Sequence, residues 1–450
     1  MLQSTALDVM KSGANVFLTG SAGAGKSYTI REYIKYLIAA KISASKIAIT
    51  ATTGIAATNI GGTTIHSFSC IGVKEYMTDD EIIQLLLKRK NKLQDMLETE
   101  VLFVDEISML HKRQFELASR IVSLARKDSR PFGGMQVIVI GDFFQLPPVS
   151  KNNEAESNRD RFPFMSKTWV DCNFSVCYLT EQHRTTSGDL NDVLNAIRND
   201  DIQDKHVQIL ESRMIQSDNK QILNLYTHNE NVDLINYTQL QKLEGESKFF
   251  KAETCGNEIS IKSLISQISA PEKLELKVGA KVMFVKNEPD EGYANGTQGV
   301  IDSFIKDDEQ DPPFLPVVKT TDGQLIVARY TTWETLKNDK FVASFKQIPL
   351  RLAWAITIHK SQGMSLDQAN INLGRVFEDG QGFVALSRLK TLEGLYIEDF
   401  KTNALKLNSL ARKADIRFRE LSDELEFKME NLPKKDIENA HKSFIKAISK

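Results

Sequence analysis

The stretch Gly20-Ser21-Ala22-Gly23-Ala24-Gly25-Lys26-Ser27 fits the spacing G-x-x-x-x-G-K-S. Glycines so placed let the backbone curl until several N–H groups face one point, where phosphate oxygens can sit. The Lys26 ammonium then reaches the β- and γ-phosphates, and the Ser27 hydroxyl can ligate Mg²⁺. The flanks agree. Asn15-Val16-Phe17-Leu18-Thr19 predicts a short buried strand, and residues 27–40 predict a helix. Strand, loop and helix N-terminus together make an anion site. The chemistry is the binding of a nucleoside triphosphate. The loop alone does not say what the energy drives.

Further groups could complete a hydrolytic site. Val104-Asp105-Glu106 closes an apolar run with two adjacent acids. Asp105 can hold the metal, and Glu106 can orient or deprotonate an attacking water. Gly141-Asp142-Phe143-Phe144-Gln145-Leu146-Pro147-Pro148 follows a second apolar run. There Gln145 can sense a γ-phosphate by hydrogen bonding, and the prolines stiffen the exit by fixing φ. Alone, this stretch also suits a simple strand-to-loop turn. Arg184, in Thr180-Glu181-Gln182-His183-Arg184-Thr185, and Arg388, in Val384-Ala385-Leu386-Ser387-Arg388, can stabilise charge developing on a transferred phosphoryl group. Taken singly, either arginine suits an ordinary surface position.

Three segments combine small, hydroxyl, histidine and aromatic residues: Thr52 to Ala57 (with Thr53 and Gly54), Gly61 to Phe68 (with Thr64, His66 and Phe68), and Thr357 to Gly363 (with His359 and Lys360). Hydroxyls, backbone N–H groups and a lysine suit phosphates, while His and Phe can stack on bases. Ordinary loop chemistry is the alternative, and for His66 or His359 alone a packed or surface histidine fits better.

The elements that must position these residues are visible at coarse grain. The chain has 450 residues, 41% hydrophobic and 26% charged, with net charge -2. That describes a multidomain globular protein without a global charge signal for nucleic acid. Apolar runs at 47–49, 101–104 and 137–140 alternate with helix-prone segments at 27–40, 79–98 and 111–127. Such alternation predicts an α/β fold with a parallel sheet covered on both faces, over residues 1–178. Residues 69–99 interrupt it as a charged, helix-prone insertion. A second α/β pattern occupies 179–249 and 341–402, around a β-rich stretch at 250–340 whose turn signals predict a small barrel. Residues 403–450 predict a charged, solvated helical tail. Cys70, Cys172, Cys177 and Cys255 are scattered, which predicts reduced, structural thiols in a cytosol-like compartment. No signal or transit peptide is visible, and the apolar runs are too short to span a bilayer.

In their order along the chain these segments resemble the motif set of superfamily 1 helicases, and more narrowly the Pif family (petite integration frequency helicases), relatives of RecD and phage Dda. The narrowing rests on Phe115 to Arg126, on Arg130-Pro131-Phe132-Gly133-Gly134-Met135-Gln136, and on the Gly141 to Val149 stretch. Tyr293 to Val300, Thr357 to Gly363 and Gly380 to Arg388 match the later motifs in order. The resemblance covers about residues 1–400.

It implies two RecA-like lobes, a small wedge-bearing insertion at 69–99 that splits duplex, and an SH3-like β insertion at 250–340. Gln3 would read the adenine edge. Gly20, Ser21, Ala22, Gly23, Ala24, Gly25, Lys26, Ser27 and Tyr28, with Gln362 and Gly363, would surround ATP. Ser27 and Asp105 would hold Mg²⁺, Glu106 the water, Gln145 the γ-phosphate, and Arg184 and Arg388 would act as fingers. Thr53, Gly54, Thr64, His66, Phe68, Thr357, His359 and Lys360 would touch a single DNA strand. The activity implied is an ATP-dependent, 5′-to-3′ DNA helicase that acts on single strands and on forked or tailed duplexes, as a monomeric motor, in replication, repair or recombination. The compartment implied is cytoplasmic or otherwise reducing, with nucleus and mitochondrion open. Two features depart from the family. Little sequence precedes the first motif, which predicts a chain without the family's long regulatory N-terminus, and Ala24 stands where Thr is usual.

Two other functions compete. A phosphate-loop ATPase switch acting on a protein or RNA would unwind nothing, and leaves Arg388 and the Thr357 to Gly363 stretch unexplained. A single-strand binding protein with a vestigial nucleotide site would not need Lys26, Asp105, Glu106 and Gln145 together.

Overall fold

The computed structural model describes residues 1–72, 74–148, 157–181, 188–214, 222–227, 232–265, 268, 270–307, 312–337, 340–374, 376 and 378–449. The chain forms two compact units, Met1–Arg184 with Asn408–Lys450, and Thr185–Leu407. No helix among the described residues is long and apolar enough to cross a membrane.

The first unit is built on a six-stranded sheet: β1 Val16–Gly20, β2 Ile47–Ala51, β3 Thr63–Thr64, β4 Val101–Asp105, β5 Gln136–Ile140 and β6 Ser175–Leu179. Their order is β3-β2-β4-β5-β1-β6, and every pairing is parallel. All residues of β1 and β5 are buried, as continuous apolar runs covered on both faces require. Leu18 pairs with Ile140 on one side and Cys177 on the other. Parallel pairing brings the carboxyl ends of β1, β4 and β5 to one edge, so Gly20, Asp105 and Gly141 leave the sheet side by side.

The helix-prone insertion is two helices, Asp79–Lys88 and Lys90–Glu98, rather than one over 79–98. Arg89 between them leaves helical geometry at φ -113 and ψ 49. The first starts in a capping box, with Thr78 and Glu81 each satisfying the other's backbone N–H.

The C-terminal tail differs from expectation. Its helices Ser409–Asn431 and Lys434–Ile448 belong to the first unit. Phe418 lies 4.9 Å, centroid to centroid, from Phe17 of β1. Ile448 is buried in the same apolar core as Val16, Leu18 and Tyr33, with Leu425, Met429 and Phe444 packed against it. Most charges lie on the outer faces, and the buried Asp415 pairs with Arg419 at 2.8 Å, so the segment is not a solvated appendage. Burial of Cys172 and Cys177 in this unit pushes both thiols up to about 12, which leaves them unreactive near neutral pH.

The second unit has a parallel four-stranded sheet, ordered Ala355–Thr357, Asn224–Tyr226, Ala369–Asn372, Leu395–Asp399. The β-rich stretch forms the expected β insertion of the second unit, built from antiparallel strands. An antiparallel five-stranded sheet runs through Lys281–Phe284, Gln298–Lys306, Phe314–Thr320, Leu325–Val327 and Leu350–Leu352. Glu253–Gly256, Thr331–Lys337 and Lys340–Gln347 form a separate three-stranded sheet. Phe250, Val282, Phe284, Val318 and Ile348 share one core. The β structure therefore extends to 352, past the expected boundary at 340.

Candidate nucleotide and nucleic-acid sites

The phosphate-binding turn is dictated at its glycines. Gly20 has φ +139, and a Cβ there would lie 2.6 Å from the Leu179 carbonyl oxygen. Gly23 and Gly25 are left-handed, at φ 86 and 85. Gly25 precedes the helix Lys26–Ala39 and offers no side chain to cap its first turn. The N–H groups of that turn therefore suit an external anion. Lys26 Nζ donates to the carbonyls of Gly20 and Ser21, at 2.9 Å each, and so spans the loop. Ser27 and Tyr28 are exposed beside it. The Ala24 side chain is wholly buried in the core of the unit. Ala24 serves the loop through its backbone. Its carbonyl accepts a 3.2 Å bond from Gln3 Nε2, which brings Gln3 to the loop.

Asp105 ends β4 and Glu106 follows in left-handed geometry, φ 53 and ψ 42. For a non-glycine residue that conformation is strained, and it turns the chain sharply at the strand end. Glu106 N–H donates to Asp105 Oδ1 at 2.8 Å, and Thr52 Oγ1 donates to the Glu106 carbonyl at 2.9 Å. The Asp105 carboxyl is pushed up to about 7, first by burial and then by the Glu106 charge; the Glu106 N–H and the Lys26 ammonium pull the other way. A buried carboxyl beside a second carboxylate is stabilised as the anion by a cation. The oxygen donors of Ser27 and Asp105 are the hard ligands that Mg²⁺ takes. The residues present thus fit that ion.

Gln145 is 7% exposed, and its Oε1 is buried with no hydrogen-bond partner in the structure. Its N–H closes a turn on the Asp142 carbonyl at 3.0 Å, while Asp142 Oδ1 accepts from Phe144 N–H at 3.1 Å. A buried acceptor of this kind suits a ligand or water that carries a proton.

Lys26, Asp105 and Gln145 therefore stand along one sheet edge, with Gln3 tied to the loop. Arg184 lies outside the described residues. Arg388 is on the second unit, 4% exposed, and donates to the Val384 carbonyl at 3.1 Å and to Ser387 Oγ at 2.9 Å. Gln362 and Gly363 are also on that unit, Gln362 buried and Gly363 at φ 78.

The strand-binding candidates divide between the units. In the first, Thr53 Oγ1 accepts from Ala56 N–H at 3.2 Å, at the start of the helix Gly54–Asn59. Thr64 caps the short helix Ile65–Phe68 by accepting from Ser67 N–H at 3.1 Å, and His66 Nε2 meets Gln114 Oε1 at 3.3 Å. Phe68 corrects the expectation: its side chain is buried, 4% exposed, and packs inside the unit instead of offering a face to bases. In the second unit, Thr357 is buried and caps Ile358–Ser361 by accepting from Lys360 N–H at 3.2 Å. His359 and Lys360 are half-buried beside it.

Thr52, Asp142 and Glu181 stand inside stretches read above but carry no role there, and the structure shows them positioning their neighbours. Glu181 Oε2 accepts the Gln3 N–H at 2.6 Å and so helps to place Gln3. Each sits next to a motif residue, and that adjacency is the signal that could have found them.

Comparison with known proteins adds independent findings. Residues 3–212 match the family PIF1-like helicase, and residues 261–304 match the family described as DNA helicase Pif1, 2B domain. A protein from Psychrobacter sp. (strain PRwf-1) called ATP-dependent DNA helicase Pif1 is 42% identical over 99% of this chain and 75% of its own length. The Xenopus laevis protein called ATP-dependent DNA helicase PIF1 is 38% identical over 90% of this chain; only 62% of its length is covered. Unliganded Pif1 from Bacteroides sp. superposes with a TM-score of 0.77 at 30% identity, covering 93% of this chain and 96% of that one. The Bacteroides Pif1 helicase in complex with ADP-AlF3 and ssDNA gives a TM-score of 0.60 at 30% identity, over 92% of this chain and 96% of that one.

Proposed function

The chain belongs to the PIF1-like helicases, and from that premise we propose that it is an ATP-driven DNA helicase moving 5′ to 3′ on a single strand. The observation that carries this reading is the shared edge of Lys26, Asp105-Glu106 and Gln145 at the ends of parallel strands, in a chain whose relatives are called ATP-dependent DNA helicases.

The residues would act as follows. The loop amides and Lys26 bind the β- and γ-phosphates. Gln3 reads the adenine edge. Ser27 and Asp105 would hold Mg²⁺, which would supply charge neutralisation to the bound phosphates. Glu106 orients the attacking water, and Gln145 hydrogen-bonds to that water or to the γ-phosphate. Arg184 and Arg388 stabilise charge on the transferred group. Thr53, Gly54, Thr64 and His66 would meet the strand from the first unit, and Thr357, His359 and Lys360 from the second. The 69–99 helices would serve as the wedge. Single-stranded and forked or tailed duplex DNA are the substrates, consistent with the ssDNA complex of the Bacteroides relative.

Strand displacement on duplexes with either a 5′ or a 3′ single-stranded tail tests the reading. The expected result is ATP-dependent unwinding of the 5′-tailed duplex alone. Unwinding from the 3′ tail would overturn the polarity. Unwinding of neither, with ATP hydrolysis intact, would leave a phosphate-loop switch as the better account.

A further inference from the structure

The C-terminal helices carry no motif, yet their contacts converge on the segment that holds Gln3. The helix Gln3–Lys11 begins at Leu2, which has no side chain able to cap it. Two carboxylates from distant parts of the chain do that work. Glu181 takes the Gln3 N–H, and Glu426 Oε1, on the helix Ser409–Asn431, takes the Leu2 N–H at 3.2 Å. The same helix is anchored firmly enough to act as a brace. Ser422 Oγ accepts the buried Tyr178 N–H of β6 at 3.0 Å. Phe418 stacks on Phe143, two residues before Gln145, with centroids 6.1 Å apart. The second tail helix holds the other end, where His441 Nε2 donates to the Asp8 carbonyl at 3.0 Å.

We propose that Glu426 is a positioning residue for nucleobase recognition: by fixing Leu2 it sets the direction from which Gln3 reaches the nucleotide loop. The inference rests on the assignment of Gln3 to the adenine edge. Glu426 does not touch the nucleotide. Its two contacts here, the Leu2 N–H and the Met1 ammonium at 3.2 Å, both lie just before Gln3, so its effect should appear in base selectivity and in KM for ATP. Saturated turnover and single-strand affinity should not move.

The test is a double-mutant cycle on the full chain with Gln3→Ala, Glu426→Ala and the pair, reading the ratio of kcat/KM for ATP to that for GTP. Loss of one hydrogen bond's worth of placement predicts a drop in that ratio of about 2- to 10-fold for Glu426→Ala. The expected cycle is non-additive: in the Gln3→Ala background, Glu426→Ala lowers the ratio no further. An unchanged ratio in Glu426→Ala, or a drop that adds in full to that of Gln3→Ala, overturns the inference while the role of Gln3 stands. An unchanged ratio in Gln3→Ala instead overturns the adenine assignment, and the inference with it. Should Glu426→Ala fail to fold, Glu426→Gln takes its place, with a smaller drop expected in the same direction and again none beyond Gln3→Ala.

Discussion

Two turns of closely similar sequence lie in different units: Thr64-Ile65-His66-Ser67-Phe68 in the first and Thr357-Ile358-His359-Lys360-Ser361 in the second. Each follows a parallel strand, and each threonine caps a single helical turn by accepting the N–H three residues on. Ile65 and Ile358 are both fully buried and pin the turns to their cores. The scaffolds match, and the groups they carry do not. The third residue after the strand is an uncharged serine in one and a lysine in the other. His66 is tied to Gln114. The threonine hydroxyls accept as caps and keep an O–H to donate. On the proposed reading, both turns can offer a DNA phosphate backbone amides and a hydroxyl proton, and only the second adds a lysine cation.

Substitutions in the two turns test this difference. The largest effect is expected from Lys360→Ala, which removes the cation. Single-strand affinity should fall by on the order of 1.5 kcal/mol, about tenfold, and the salt slope of log K by about one. Equilibrium titrations at several salt concentrations check this. The converse, Ser67→Lys, should steepen the slope; an unchanged slope in both variants would put the lysine away from the strand. Next in size, Thr64→Ala and Thr357→Ala each lose a cap and should cost about 1 kcal/mol of stability, by thermal or denaturant unfolding. A loss of DNA affinity without a loss of stability would show a direct contact and contradict the capping account. The smallest effect is expected from Gln114→Ala, which removes the side chain facing half-exposed His66. Its cost should be about 0.5 kcal/mol in unfolding experiments.

The chemistry was legible wherever a buried strand delivers it. The runs ending at Thr19, Val104 and Ile140 announce β1, β4 and β5, and the residues just beyond them share one edge because parallel strands must end together. Burial inside a turn was not legible. Phe68 looks like a base-stacking aromatic in sequence, but the capped turn rotates it into the core. In the tail, the charged composition masks the helical period. Ala411, Asp415, Phe418, Ser422, Leu425 and Met429 recur at alternating spacings of four and three, which marks one inward helix face. The surrounding charges hid that stripe. The break at Arg89 had no Gly or Pro to signal it.

On the proposed function, the edge formed by Gly20, Asp105 and Gln145 is the site of a DNA-driven ATPase. Hydrolysis of ATP is to be measured for wild type and Lys26→Ala, with and without single-stranded DNA. Strong stimulation by DNA is expected in the wild type and none in a folded Lys26→Ala protein. Hydrolysis indifferent to DNA, or full turnover without Lys26, would contradict that assignment.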